Sequence, residues 1–122
     1  MKYFVIATRD GVLSAEDFAQ RLVSRWPDAE VTHVTSPASR HAMEFLVPMA
    51  RSHLSGSLNR RGSCIAFEAD LPDYAEFAQW CRSIIPPHEP LTFCDEGMHG
   101  NVKLEMATTV EDLLHAFHAS GG

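Results

Sequence analysis

Short apolar segments separated by turn residues run along this chain, and their spacing is the feature that most constrains its fold. Residues 2–8 (KYFVIAT) are apolar on both alternating faces, which is typical of an inner β-strand. Six further segments alternate as strands do: 30–35, 42–48, 54–58, 63–69, 91–95 and 101–106. For the segment 42–48, a short helix over 39–46 is the alternative.

Two helical stripes lie between these segments, and each has end signals. Ser14 with Asp17 forms a capping-box-like start, and Pro27 closes the stripe that follows. That stripe is Phe18, Leu22 and Trp26. Residues 70–73 predict a second helix start, because acidic side chains and a proline are favourable in a first turn. The second stripe is Tyr74, Phe77, Ala78, Cys81 and Ile84 or Ile85.

A third, shorter helix is predicted near residue 110. Thr108 with Glu111 forms a capping box before it, and its apolar residues are Val110, Leu113, Leu114 and Phe117. Two glycines predict local backbone features in the strands. Gly62 suits the positive φ of a hairpin loop over 59–62, and Gly56 inside a strand marks a bulge or a close backbone approach.

The resulting order, β-α-β-β-β-β-α-β-β-α, is dominated by hairpins, with helices at three points. Hairpin-connected strands pair antiparallel, so the order predicts an α+β fold with a largely antiparallel sheet. The chain has 122 residues, of which 45% are hydrophobic and 21% charged. That length and composition predict one globular domain over residues 1–120.

Cysteine content and hydropathy predict a cytoplasmic protein. The three cysteines, Cys64, Cys81 and Cys94, are an odd number with no CxxC pair, which favours a reducing compartment over a disulfide framework. The apolar run near the N-terminus is too short for a signal peptide, and no stretch approaches the ~20 apolar residues of a membrane-spanning helix.

The formal charge of the chain constrains its partners. Sixteen acidic and ten basic side chains give a net charge of −6. An acidic surface disfavours nucleic-acid binding, because phosphate contacts need basic residues. It suits a protein partner with a basic interface, since complementary charge accelerates encounter.

Chemically reactive residue types are present, but none completes a catalytic set. Cys94 and His99 flank the second hairpin, and His115 with His118 is the nearest approach to a metal-ligand pair; a small thiol- or metal-dependent enzyme would rest on these four residues. Glu44 and Glu68 lie between apolar strand neighbours, and we expect both to point outward. The sequence therefore predicts no catalytic residue, no metal and no cofactor.

Three segments resemble small bacterial proteins encoded beside secreted polymorphic toxins: 77–86 (FAQWCRSIIP), 90–96 (PLTFCDE) and 108–113 (TTVEDL). These are the immunity proteins of contact-dependent or type VI secreted systems, and the resemblance covers mainly residues 55–117. Such proteins are compact, often acidic, and bind their toxin domain to block it. The resemblance implies a non-enzymatic protein that occludes the active site of a cognate toxin.

The predicted contact residues lie on the second helix and the hairpin that follows it. They combine acidic side chains with tryptophan and arginine, two residue types enriched at interaction hot spots. The set is Asp73, Glu76, Trp80, Arg82, Asp95 and Glu96. The alternative function is a small-molecule-sensing or regulatory domain, in which the helices and hairpins enclose a pocket.

Overall fold

Seven strands and three helices follow one another in the order that the sequence predicts. The structure is a computed structural model that describes residues 2–36, 38–50, 52–70, 73–97 and 101–114. Its elements are β1 (Lys2–Ala7), α1 (Ala15–Arg25), β2 (Glu30–His33), β3 (His41–Pro48), β4 (His53–Asn59), β5 (Cys64–Glu68), α2 (Asp73–Ser83), β6 (Leu91–Asp95) and β7 (Asn101–Leu104). A third helix, α3, begins at Val110 and is described to Leu114.

All seven strands form one antiparallel sheet, in the order β2-β3-β4-β5-β1-β6-β7. The predicted α+β class and the inner position of β1 are confirmed, because β1 pairs with β5 on one side and β6 on the other. The connection from β5 through α2 to β6 therefore crosses over β1, which lies between these two strands. The helical alternative over 39–46 is wrong, since β3 pairs along its length with β2 and β4.

The helices cover one face of this sheet. Val5, Phe45, Phe67 and Phe93 point from their strands into the core, and Phe77 of α2 lies on Phe67 with ring centroids 4.8 Å apart. From α1 the core takes Phe18 and Leu22, from α2 Tyr74, Ala78 and Cys81, and from α3 Leu113. The predicted apolar stripes of α1 and α2 are thus buried. No helix in the described ranges is long and apolar enough to cross a membrane.

Both described helix starts have capping side chains, but one differs from its prediction. The Ser14 hydroxyl accepts a hydrogen bond from the Asp17 backbone N–H at 3.4 Å, as predicted. At α3 the predicted Thr108–Glu111 box is wrong by one residue. The Thr109 hydroxyl accepts from the Asp112 N–H at 3.1 Å, and the Thr109 N–H donates back to the Asp112 carboxylate at 3.0 Å. Two adjacent threonines made the register ambiguous in the sequence.

The hairpin between β4 and β5 turns at the predicted glycine. Gly62 has a φ of +66°, a conformation in which glycine has no Cβ to clash. The Asn59 side-chain oxygen accepts from the backbone N–H groups of Ser63 and Cys64, at 2.8 and 3.0 Å. These bonds fix the register of the two central strands.

Gly56 is the site of a close approach between neighbouring strands. It lies opposite Phe45 of β3, whose ring lies over it. A Cβ at position 56 would stand 2.6 Å from both the Phe45 Cζ and the Ala66 carbonyl oxygen, where no real Cβ fits. Of the two features predicted for this glycine, the structure has the close approach.

We expect the substitution Gly56→Ala to lower the free energy of unfolding by about 2 kcal/mol, because the added methyl overpacks a filled core. The penalty should be smaller in a Phe45→Leu background, which removes the clashing ring atoms while leaving the Ala66 carbonyl. Urea denaturation of the four proteins measures both effects. Equal penalties in the two backgrounds would contradict the packing of Phe45 on Gly56.

Candidate functional site

The predicted contact residues do not form one surface, because half of them are buried. Asp73 and Asp95 are only 1% and 2% exposed, so the prediction that they contact a partner is corrected. Asp73 accepts a hydrogen bond from the Ser52 hydroxyl at 2.8 Å at the start of α2. Asp95 ends β6 beside Tyr3. Burial, and then the Asp95 and Asp70 carboxylates, raise the pKa of Tyr3; burial, and then Tyr3, raise the pKa of Tyr74 to about 12.

Arg82 is also buried, at 3% exposed, and its guanidinium binds the backbone instead of a partner. One terminal nitrogen donates to the carbonyls of Glu89 and Leu104, at 2.8 and 3.2 Å. The other donates to the carbonyls of Ile85 and Pro86, at 3.0 and 2.6 Å. Arg82 therefore joins the end of α2, the loop before β6, and β7. In sequence it lay at the edge of the helical stripe, where a buried arginine cannot be told from an exposed one.

Two of the predicted residues lie on the outer side of the helical layer. Trp80 is half-buried, with its ring 5.0 Å from Trp26 and 5.6 Å from Phe18, and two shallow clefts flank its accessible edge. Glu76 is 42% exposed and pairs with Arg25 at 3.1 Å. This surface presents the edge of the Trp80 ring, but the Glu76 carboxylate on it is already paired with Arg25.

The thiol of Cys94 lies on the side of the sheet opposite the core, as expected, but it is 2% exposed. Burial, and then the neighbouring Asp95 carboxylate, raise the pKa of this thiol, which disfavours the thiolate. Its proposed partner His99, with His115 and His118, lies outside the described residues. Among the residues that the structure does describe, no group of three His, Cys, Asp or Glu side chains could hold a metal ion.

One face of the sheet is covered by none of the helices that the structure describes, and we call it the open face. The register aligns one row across it: Thr32, Glu44, Ser57, Ala66, Phe4, Cys94 and Asn101. Apolar residues occur on this face. Phe4 is half-buried, while Ile6 and Leu46 are 39% and 36% exposed.

A trough of about 420 Å³ runs along the middle of the open face. Its floor is made of small residues on β4 and β5, namely Ser55, Ser57 and Ala66. Phe4 and Lys2 of β1 form one wall, and Glu44 with His41 of β3 forms the other. Glu68 lies at the foot of the first wall, opposite Lys2 in the strand register. Small side chains on two adjacent strands between larger neighbours therefore create the depression.

Four exposed glutamates lie on the open face, Glu30, Glu44, Glu68 and Glu96, together with the two exposed lysines Lys2 and Lys103. Within the described residues, no arginine or lysine nitrogen lies within 4.0 Å of any of these carboxylates; the ion-pair partner of Glu44 is His41, at 3.6 Å. On the helical layer, Asp17 pairs with Arg21 and Glu76 with Arg25. The outward orientation predicted for Glu44 and Glu68 is confirmed. Glu96 is the one predicted contact residue on this face.

A buried carboxylate that the sequence analysis missed joins two loops. Glu89 is 5% exposed and accepts two hydrogen bonds from Arg9, one of them from Nε at 3.1 Å. The bonds from Arg9 are the main cause that holds the pKa of Glu89 below its ordinary value of 4.5. The two residues are 80 positions apart, so no local pattern connects them.

Comparison with protein-family models, with curated proteins and with solved structures finds no match to this chain.

Arg82→Lys should lower the free energy of unfolding by about 2–4 kcal/mol, because one ammonium cannot reach the four carbonyls that the planar guanidinium reaches. The matched control is Arg21→Lys at an exposed pair, which we expect to stay within about 0.5 kcal/mol of wild type. Urea denaturation separates them. An Arg82→Lys protein as stable as wild type would contradict this structural role and leave Arg82 as a candidate contact residue.

The Arg9–Glu89 pair should make stability depend on pH at the acid end. Because the folded-state pKa of Glu89 is lowered, its contribution is complete above pH 4.5 and is lost as the pH falls through the folded-state value. The difference in melting temperature between wild type and Glu89→Gln should therefore shrink steadily below pH 4.5. The difference in melting temperature between wild type and Arg9→Met should shrink over the same pH range. A difference that stays constant down to pH 3 would contradict this role.

Proposed function

We propose that this protein is a non-enzymatic, immunity-type inhibitor that binds a cognate bacterial toxin domain through the open face and occludes the toxin's active site. The observation that carries the proposal is the charge of this face. Four glutamates without a lysine or arginine partner among the described residues lie beside exposed apolar groups, on the sheet face that no described helix covers. A basic protein surface is the complementary partner.

The shape of the open face suits a protein partner. Seven strands spaced about 4.8 Å apart give a sheet roughly 30 Å wide, which is the scale of a standard interface of ~800 Å² per partner. Phe4, Ile6 and Leu46 supply apolar contact area beside the glutamates, and protein interfaces combine apolar and polar groups in this way.

The same arrangement explains how an inhibitor of this type would act. Carboxylates that are unpaired in the free protein break no ion pair when they meet a basic cleft, and their field accelerates encounter. A rigid sheet pays little conformational entropy on binding, because its backbone is already ordered. Inhibition then needs only coverage of the toxin's cleft and no chemistry by this chain.

Coexpression with the toxic domain encoded by the neighbouring reading frame tests the proposal. Wild type should protect the cell and copurify with the toxin. Glu44→Lys with Glu68→Lys should weaken binding at least ten-fold, because like charges then face each other across the interface. Glu76→Lys and Asp10→Lys carry the same charge change on the helical layer and on a loop, and should protect as wild type does.

Two results would contradict the proposal, in different ways. Failure of the wild-type protein to protect or to form a complex would overturn the immunity function. Loss of binding in Glu76→Lys, with normal binding in the open-face variant, would move the interface to the Trp80 surface. In the first case a thermal-shift screen examines the alternative, since stabilisation by a metabolite without any protein partner favours a sensing domain.

A further inference from the structure

The trough on the open face is large enough to take a long side chain lying across its floor. Its floor of Ser55, Ser57 and Ala66 leaves two strands' width between Phe4 on β1 and Glu44 on β3, whose Cα atoms are about 14 Å apart at the usual strand spacing. The volume of about 420 Å³ is open to solvent along one side. A side chain entering from a partner would lie across the small residues with its stem against the Phe4 ring.

The charges that line the trough call for one cation. Glu44 and Glu68 contribute two negative formal charges and Lys2 contributes one positive charge, which leaves one negative charge. One positive side chain balances it. Glu44 and Glu68 stand on opposite sides of the floor, two strands apart, so a cation lying on Ser57 and Ala66 is placed between the two carboxylates.

The aromatic wall favours a guanidinium over an ammonium. A planar guanidinium stacks on an aromatic ring and donates to carboxylates in pairs, whereas an ammonium is a compact and more strongly hydrated charge. Phe4 is half-buried, so its ring is held by its neighbours while part of it remains accessible. Ser55 and Ser57 add hydroxyls that can accept from the nitrogens left over.

We propose that this trough is a binding site for one arginine side chain projecting from the partner protein, with Glu44 and Glu68 as its acceptors and Phe4 as its stacking surface. The site deepens the proposed function, on which it rests for the identity of the partner. It does not need the partner for its test, because a short peptide presents the same side chain.

The test is an NMR titration of the ¹⁵N-labelled protein with three blocked tripeptides, acetyl-Gly-Arg-Gly-amide and its lysine and citrulline counterparts. We expect one partly exposed side chain to bind weakly, with a dissociation constant of about 1 mM or above, which an NMR titration can follow. We expect the arginine peptide to shift the amides of Phe4, Ser55, Ser57 and Ala66, the lysine peptide to bind about three-fold more weakly, and the uncharged citrulline peptide not to bind.

Variants separate the site from general attraction to an acidic surface. Glu44→Gln with Glu68→Gln should raise the dissociation constant about five-fold or more, and Phe4→Leu should remove the preference for arginine over lysine. The matched control Glu30→Gln removes a charge from the same face outside the trough, and should bind as wild type does. Equal weakening by Glu30→Gln, binding of citrulline as tightly as arginine, or shifts outside the trough would overturn the site.

The outcome is independent of the toxin experiment. If the arginine peptide does not occupy the trough while Glu44→Lys with Glu68→Lys still abolishes protection, the open face remains the interface and only the arginine site fails. If the peptide binds the trough but the wild-type protein does not protect, the arginine site stands and the immunity function fails.

Discussion

The packing of Phe77 holds the two layers of this protein together. Its ring lies between 4.8 and 5.7 Å from those of Trp26, Phe45, Phe67 and Trp80, so one residue of α2 contacts both the sheet and α1. Burying a phenylalanine side chain contributes about 1.5–3 kcal/mol, and aromatic contacts add to this. Because α1 and α2 meet over this ring, both helices lie on the same side of the sheet.

One-sided burial has a direct effect on where function can reside. The core takes nearly every large apolar residue of the described chain, the loops around Arg82 and Glu89 are fixed by buried polar contacts, and Asp17 and Glu76 of the helical layer pair with arginines. The open face combines accessible apolar residues with glutamates that have no arginine or lysine partner among the described residues. The apolar residues of the open face do not belong to the core, because the strand register places them on the side of the sheet away from the helices.

Much of the fold could be predicted from the sequence, since alternation, caps and glycines are local signals. The order of helices and strands along the chain, the start of α1 and the positive φ of Gly62 follow from residues a few positions apart. The contact surface could not be predicted in the same way. Asp73, Arg82 and Asp95 have polar side chains that suggest exposure, and only their long-range partners show that they are buried.

The position of the open face illustrates the same limit. A strand that is apolar on both sides, as β1 is, suggests burial on both sides. In the structure β1 is indeed internal in the sheet, but Ile6 stays exposed because all the described helices pack on the other face. Which face of the sheet the helices cover depends on contacts between residues distant in sequence. Only those contacts show that one side of the inner strand β1 stays accessible.

The position of β1 in the sheet also affects how the chain folds during its synthesis. Lys2 is paired with Glu68, 66 positions later, and Ala7 with Leu91, 84 positions later, so β1 leaves the ribosome before both of its neighbours and must wait for them. During that interval a short β-prone apolar segment is unpaired along both edges, which is the condition under which nascent chains aggregate. An inner strand of the finished sheet is thus a vulnerable segment of the unfinished one.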